Sequence, residues 1–203
     1  AAAAIRVGES GDPTIDCIPC DVTVEDSVVA LFDAIDQKHS RIDLLVNNAG
    51  TNVPGATVDL SGADFEKVLQ VNVLGPFLCA REAIKRMKRQ QSGRIINIGS
   101  LSASSPRPDS CPYTTSKFAL NGLSQSLALD ARSDRISVGI VHPGNVMSEL
   151  LTQEMMQERK ESEGFIEAEA VAECVLAMAT MPASTNVLEM TVLPTKQPFV
   201  GRG

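Results

Sequence analysis

Histidine is scarce in this sequence: His39 and His142 are the only two. A structural zinc site takes four cysteine or histidine ligands, and the close pair Cys17 and Cys20 has no second close cysteine pair to complete such a set. The same pair has the spacing of a redox-active motif, but that motif normally opens a helix, whereas this pair closes an extended apolar run. We therefore expect neither a metal site nor a redox site.

Long apolar runs and an excess of positive charge are also missing. No apolar run approaches the roughly 18 residues that a membrane-spanning helix requires. The net charge is -7, whereas non-specific nucleic-acid binding rests on an excess of basic side chains. We expect neither a membrane nor a nucleic acid as a partner. Five cysteines and no Asn-x-Ser/Thr site suit a reducing compartment, so we expect a cytoplasmic protein.

The sequence does contain a regular alternation of short apolar runs and amphipathic segments. The apolar runs predict strands at residues 14–20, 42–46, 94–98, 136–141 and 187–192. Helices are predicted to begin with a cap at 23–26, at Ser61 with Asp64, after Gly75 and Pro76, at Tyr113, and at Glu167. This alternation is typical of a doubly wound parallel sheet, a three-layer Rossmann-like α/β fold. The length of 203 residues fits one domain, 1–203.

Ligands of such sheets bind beyond the carboxyl ends of the strands. The residues that follow the predicted strands are polar or expose the backbone: Asp21, residues 47–50, residues 99–100 and residues 143–144. We therefore expect the functional site at this edge of the sheet.

Tyr113 and Lys117 are four residues apart and share one face of a predicted helix. A nearby ammonium favours the phenolate, which would bring a tyrosine towards acid and base chemistry near neutral pH. This spacing is weak evidence alone, because it also occurs in ordinary solvated helices. Ser100 strengthens it, because it ends a predicted strand thirteen positions before Tyr113 and its hydroxyl could hydrogen-bond a substrate carbonyl.

Further motifs lie before and after these residues. Asn47-Asn-Ala-Gly50 and Val71-Asn-Val-Leu-Gly75 precede them, and Val141-His-Pro-Gly144 with Ser148 follows. In order and spacing, the set closely resembles the short-chain dehydrogenase/reductase family over nearly the whole chain.

The resemblance implies a catalytic role for four residues. Tyr113 would be the general acid in reduction and the base in oxidation. Lys117 would lower its pKa and hold the nicotinamide ribose, and Ser100 would orient the substrate oxygen. Asn72 would anchor a water that links Lys117 to solvent.

The resemblance also implies the cofactor, NADP or NAD, with the sequence at 186–198 favouring NADP. Three groups of residues would bind it. Asp21 and Val22 would meet the adenine; Asn48, Ala49 and Gly50 the adenosine ribose and pyrophosphate; Pro143, Gly144, Val146 and Ser148 the nicotinamide.

Several of these residues have simpler interpretations. Capping of the following helix could be the only role of Asp21. Asn72 could be a structural amide that bends its helix, and Gly50 and Gly144 could be turn glycines. We interpret His142 as a packed residue beside Pro143. A basic cluster is interpreted as a solvated helix face rather than an anion site: Lys85, Arg86, Lys88 and Arg89.

The sequence departs from the family pattern at its beginning. The strand and glycine-rich turn that normally approach the pyrophosphate are not found, and residues 1–6 resemble the end of the helix after the second strand. We expect the first strands to be missing from this chain and the parent polypeptide to contain that turn.

The expected function is therefore that of an NAD(P)-dependent oxidoreductase that interconverts an alcohol and a carbonyl on a small or medium substrate. Residues 150–164 would cover the substrate pocket. Helices at 77–91 and 113–131 resemble those through which family members pair, so we expect a homodimer or homotetramer. The alternative is a non-catalytic dinucleotide-binding or scaffold protein of the same fold.

Overall fold

The computed structural model describes residues 16–147 and 162–199. In this part of the chain the strands are β1 (Leu44–Asn47), β2 (Gly93–Ile98), β3 (Ile136–Pro143) and β4 (Glu189–Val192). The α-helices are α1 (Glu25–Lys38), α2 (Gly62–Leu69), α3 (Gly75–Gln90), α4 (Cys111–Ala131) and α5 (Ala168–Ala179). A π-helix, Gln70–Leu74, joins α2 to α3, and short 3-10 helices follow β2 and α4 at Leu101–Ala103 and Arg132–Asp134.

The described strands form one parallel sheet in the order β1, β2, β3, β4. The apolar runs of β2 and β3 are buried on both faces, because alternate side chains pack against different helices. Ile95 and Val138 face the core formed with α1, α3 and α4. Ile96 and Val141 face the core formed with α5. This arrangement confirms the predicted doubly wound α/β fold.

The predicted strand at 14–20 is wrong over residues 16–20, which have no regular secondary structure. Residues 14 and 15 lie outside the described residues. A strand needs a neighbouring backbone to complete its hydrogen bonds, and no described strand pairs with 16–20. The segment is instead held by side chains, among them the ion pair between Lys38 and Asp16 at 2.9 Å.

The start of α1 differs from the prediction, and the start of α2 agrees with it. At α1 the N-cap is Val24, not Thr23, because Asp21 Oδ1 accepts hydrogen bonds from the backbone N–H and hydroxyl of Thr23. At α2 the predicted capping box is confirmed: Ser61 Oγ accepts from Asp64 N–H, and the Asp64 carboxylate accepts from Ser61 N–H.

The predicted break at Gly75 and Pro76 is wrong, because the π-helix continues directly into α3. A proline is tolerated in the first turn of a helix, where its missing N–H costs no hydrogen bond. Gly75 is required for another reason: a Cβ there would lie 2.8 Å from Cγ2 of Val22. The glycine thus allows residue 22 to pack closely on the start of α3.

The basic cluster on α3 is only partly solvated. Arg86 is 8% exposed, which contradicts the interpretation of the whole cluster as a solvated face. Its guanidinium contacts carboxylates of Asp33 and Asp36 on α1 and of Glu82 on α3. Because α1 packs along α3, this cation ties the two helices together.

A chain of buried polar side chains crosses β1, β2 and α4. Asn47 and Asn97 are paired in the sheet register, and Asn47 Nδ2 donates to Asn97 Oδ1 at 2.8 Å. Asn97 Nδ2 in turn donates to Ser124 Oγ at 2.8 Å. These contacts fix the carboxyl ends of β1 and β2 relative to the helix that carries Tyr113.

Within the described residues, no helix is long and apolar enough to cross a membrane.

We predict that Asn97→Ala lowers the free energy of unfolding by about 3 kcal/mol, because it removes two buried hydrogen bonds and leaves Asn47 Nδ2 with only a 3.4 Å contact to the Pro76 carbonyl. Ser124→Ala removes only one end of the chain and should cost about 1 kcal/mol. Urea denaturation followed by circular dichroism measures both. Equal losses for the two variants would show that the side chains do not act as a connected set.

Candidate functional site

A cleft of about 1480 Å³ opens at the carboxyl ends of β1, β2 and β3. Most of the site residues predicted from the sequence line this cleft. They are Asn48, Ala49, Gly50, Ser100, Tyr113, Lys117, Pro143, Gly144 and Val146. The fold therefore brings together segments that are up to about a hundred positions apart, as expected at the ends of parallel strands.

Three predicted residues do not line the cleft, and a fourth is not among the described residues. Asn72 is buried outside the residues that line the cleft, and Asp21 and Val22 also do not line it. The Asp21 carboxylate accepts from Thr23 and its own N–H donates to Ser27 Oγ. The N-cap of α1 is Val24, with no side-chain cap hydrogen bond, so the simpler interpretation of Asp21 as a helix cap is not confirmed. Contact of residues 21 and 22 with an adenine stays a prediction. Ser148 lies outside the described residues.

Tyr113 and Lys117 share the first turns of α4, with Pro112 at the start of that helix. The ammonium Nζ lies 5.4 Å from the centroid of the tyrosine ring. Lys117 is 5% exposed, and its Nζ donates to the backbone carbonyl of Ile98 at 2.9 Å. The amine is thus held between the end of β2 and the phenol.

Ser100 lies opposite this pair, directly after β2. Its side chain is close enough to that of Tyr113 to lower the pKa of the phenol. Its backbone is extended, and its Oγ also accepts from the N–H of Ser102 at 3.1 Å, which caps the following 3-10 helix. The predicted serine and tyrosine therefore meet in the cleft wall.

Burial dominates the electrostatics of these groups. It raises the pKa of Tyr113, while the Ser100 side chain lowers it. Burial also lowers the pKa of Lys117 to about 8. The pKa of Tyr113 is raised overall, because removing the phenolate from water disfavours the charged form. A lowering of this pKa by the Lys117 ammonium stays a prediction.

His142 packs directly behind Ser100, at the end of β3. Its Nδ1 lies 2.9 Å from the carbonyl oxygen and 3.2 Å from the backbone nitrogen of Ser100. A Cβ at residue 99 would lie 2.5 Å from this nitrogen, so Gly99 allows the imidazole to approach. Burial lowers the pKa of His142. The interpretation as a packed residue agrees with this position, but the sequence did not indicate the contact with Ser100.

Asn72 lies in the π-helix and is 1% exposed. Its Oδ1 accepts from Thr51 N–H, and its Nδ2 donates to Thr51 carbonyl and to Ser116 Oγ, all within 2.9 Å. Ser116 is on α4, and its hydroxyl donates to the carbonyl of Tyr113. The amide therefore connects the segment after β1 to the helix that carries Tyr113, which fits the structural interpretation. Its part in a proton relay stays a prediction.

Several polar residues that line the cleft carried no motif in the sequence. They are Asn52, Arg107, Asn145, Glu163 and Gln197. Asn145 is the residue after the predicted Pro143-Gly144 turn, so its position at a strand end was the one available signal. The others lie in irregular segments whose neighbours in space the sequence does not reveal.

The cleft fits a dinucleotide. Its volume exceeds what a small substrate alone fills, and residues 48–50 are exposed on one wall. Asn52 Oδ1 is buried in that wall and has no hydrogen-bond partner among the described residues, so it is suited to accept from a ligand. Residues 48–50, 143–144 and Val146, together with Lys117, could hold such a cofactor.

Comparison with known proteins identifies the family. A family model described as short chain dehydrogenase matches residues 1–159. A farnesol dehydrogenase from Aedes aegypti is 30% identical over 200 residues, which cover 94% of this chain and 79% of that protein. Matches to three other curated relatives span 43% to 50% of the length of those proteins.

Solved structures give the same result. A structure of ElxO with NADP bound superposes with a TM-score of 0.73 at 28% identity, covering 84% of this chain and 74% of that one. A 3-ketoacyl-(acyl-carrier-protein) reductase from Brucella melitensis, complexed with NADH, superposes with a TM-score of 0.81 at 25% identity, covering 88% and 77%. The chain therefore belongs to the short chain dehydrogenase family, a family of oxidoreductases that use NAD or NADP.

Proposed function

We propose that this protein interconverts an alcohol and a carbonyl group on a small or medium substrate, with Tyr113 as the acid and base. The observation that carries the proposal is that Tyr113, Ser100 and Lys117 line the same cleft, with the Lys117 ammonium 5.4 Å from the centroid of the phenol ring. This cleft fits a dinucleotide. A bound nicotinamide dinucleotide supplies or accepts the hydride at the substrate carbon.

In the direction of reduction, the hydroxyls of Ser100 and Tyr113 bind the substrate carbonyl oxygen. Tyr113 then donates its proton to that oxygen as negative charge develops there, and the product is an alcohol. In oxidation the phenolate takes the proton back. The raised tyrosine pKa suits the acid role, because it keeps the phenol protonated until the substrate oxygen becomes basic.

Lys117 has two tasks in this proposal. Its pKa of about 8 leaves most of the amine protonated at neutral pH, so that its charge stabilises the phenolate formed when Tyr113 gives up its proton. It also faces the part of the cleft between residues 98 and 143, where it could hold the nicotinamide ribose hydroxyls. Asn72 would support a water path from this amine to solvent.

Cofactor and assembly follow from the same proposal. NADP is favoured by the sequence at 186–198, and the similar structure of ElxO contains NADP. Pairing through α3 and α4 into a homodimer or homotetramer stays a prediction; Phe77 and Phe118 on these helices are exposed, and apolar residues at a surface favour association.

We predict that Tyr113→Phe lowers kcat by about a hundredfold to ten-thousandfold, the contribution of a positioned acid. Affinity for NADP and thermal stability should stay close to the wild type, because the ring is kept. The test follows the reduced-nicotinamide absorbance while a panel of aldehydes and ketones is offered. Gln125→Ala, at an exposed position of the same helix, is the control. Wild-type rates in the Phe variant would refute the assignment.

We also predict that burial of Lys117 makes stability depend on pH. The unfolded lysine has a pKa near 10.5 and the folded one about 8. As pH falls from 10.5 to 8, the unfolded chain takes up a proton that the folded chain does not, so the folded state is penalised progressively, by about 3 kcal/mol below pH 8. The penalty is absent above pH 10.5.

Lys117→Met removes this penalty. The difference in unfolding free energy between wild type and variant should therefore shift by about 3 kcal/mol in favour of the wild type as pH rises through this window. Urea denaturation without added cofactor measures it, and Lys88→Met at a surface position controls for the loss of a lysine. A difference that is constant with pH would show that Lys117 is not protonated as described.

A further inference from the structure

Arg107 forms the centre of a polar network in the wall of the cleft. The part of the cleft that it lines, next to Ser100, is called the substrate end because Ser100 would bind the substrate oxygen in the proposed function. Arg107 lies in the segment between Ser100 and α4, seven positions after the serine. Nη1 donates to Glu163 Oε1 at 3.3 Å, and Nη2 donates to Glu163 Oε2. Two parallel contacts between a guanidinium and a carboxylate fix both the position and the orientation of the pair.

Asn145 and Gln197 extend the network to the other walls. Asn145 Nδ2 donates to Glu163 Oε2 at 2.9 Å, and its Oδ1 accepts from Arg107 at 3.4 Å. Gln197 Oε1 accepts from Asn145 N–H at 2.8 Å, and Gln197 Nε2 donates to Asn145 Oδ1. Four separate segments, before α4, after β3, before α5 and after β4, are therefore joined at one place.

The network also sets the charge of the cleft. Among the described residues that line it, the cations are Arg107 and Lys117 and the anions are Asp109 and Glu163. The Lys117 ammonium donates to the Ile98 carbonyl and lies beside the ring of Tyr113. Arg107 is committed to Glu163, and Asp109 is exposed. Of the two described cations, the guanidinium of Arg107 is therefore paired with a carboxylate, and the ammonium of Lys117 is bound to the Ile98 carbonyl beside the phenol.

We infer that the Arg107–Glu163 pair makes the substrate end select uncharged carbonyl compounds over those that carry a remote carboxylate. This inference rests on the proposed function, because it concerns the substrate of the same site. A substrate carboxylate could reach the guanidinium only by displacing Glu163, which would lose its contacts to Arg107 and Asn145. It would also lie near a second carboxylate, Asp109. An uncharged substrate leaves the network intact.

The experiment compares two ligands that share a ketone but differ in charge, 4-oxopentanamide and 4-oxopentanoate. Dissociation constants are measured by saturation-transfer NMR on the intact protein with oxidised NADP, so that no turnover is required. We expect the wild type to bind the amide about tenfold more tightly than the carboxylate, the size of effect that one unfavourable charge produces at a partly exposed site.

Two variants should move this preference in opposite directions. Glu163→Gln leaves the guanidinium uncompensated and should bring the carboxylate to the affinity of the amide or beyond it. Arg107→Gln removes the positive charge beside Glu163 and should widen the gap by about a further tenfold. Arg107→Lys keeps the charge and should keep the wild-type preference. Affinity for NADP and the melting temperature are measured for each variant, and if Arg107→Gln does not fold, the other two variants carry the test.

The inference is overturned if the wild type binds the carboxylate as tightly as the amide, if it binds neither ligand saturably, or if Glu163→Gln alters both affinities equally. A merely structural pair would produce the last result. Failure of the proposed function is seen separately, as full turnover in Tyr113→Phe or as no turnover with any carbonyl compound of the panel.

Discussion

The hydrogen bonds from Asn47 to Asn97 and from Asn97 to Ser124 fix β1, β2 and α4, which carry the site residues, relative to one another. Both amides lie at the carboxyl ends of neighbouring parallel strands, and each is followed within three residues by backbone that lines the cleft. Because the serine is on α4, the same contacts set the height of Tyr113 and Lys117 relative to the strand ends. A shift of either strand by one residue would separate these partners and also turn the apolar side chains of β2 to the wrong faces.

A second constraint comes from water exclusion. Lys117 is almost fully buried, yet its described hydrogen-bond partner is a single carbonyl group. Burial opposes both charged forms that the chemistry needs, the ammonium of Lys117 and the phenolate of Tyr113. In the proposed function the Lys117 ammonium would stabilise the phenolate and so offset part of this cost of burial.

The order of the elements and most of the residues that line the cleft could be predicted from the sequence, because both depend on local sequence patterns. Apolar runs of five or six residues marked β2 and β3, and Ser61 with Asp64 marked the start of α2. The motifs at strand ends placed residues 48–50, Ser100 and Pro143 at one edge. The role of Arg107 could not be read in this way, since its partners Glu163 and Asn145 are distant in the chain and belong to no periodic pattern.

The errors have equally physical origins. Residues 16–20 have the composition of a strand but no described neighbour to complete a ladder. Thr23 looked like a cap, but Asp21 binds its hydroxyl. The pKa of Tyr113 was expected to fall because the sequence reveals the charge beside it and not the depth at which both groups lie. Burial is a property of the whole fold, and it determines that the pKa shift of Tyr113 is upward.

The π-helix at Gln70–Leu74 has a consequence for how this chain can vary in length. A π turn contains about one more residue than an α turn, so it absorbs an extra residue without changing the direction in which the next helix faces. Deleting a single residue here would restore regular α geometry and leave Leu78 and Ala83 of α3 in the core, but it would remove or displace Asn72, which the π turn holds against Thr51 and Ser116. Insertions and deletions accumulated by descendants of this sequence should therefore be found in the loops and avoid this one turn.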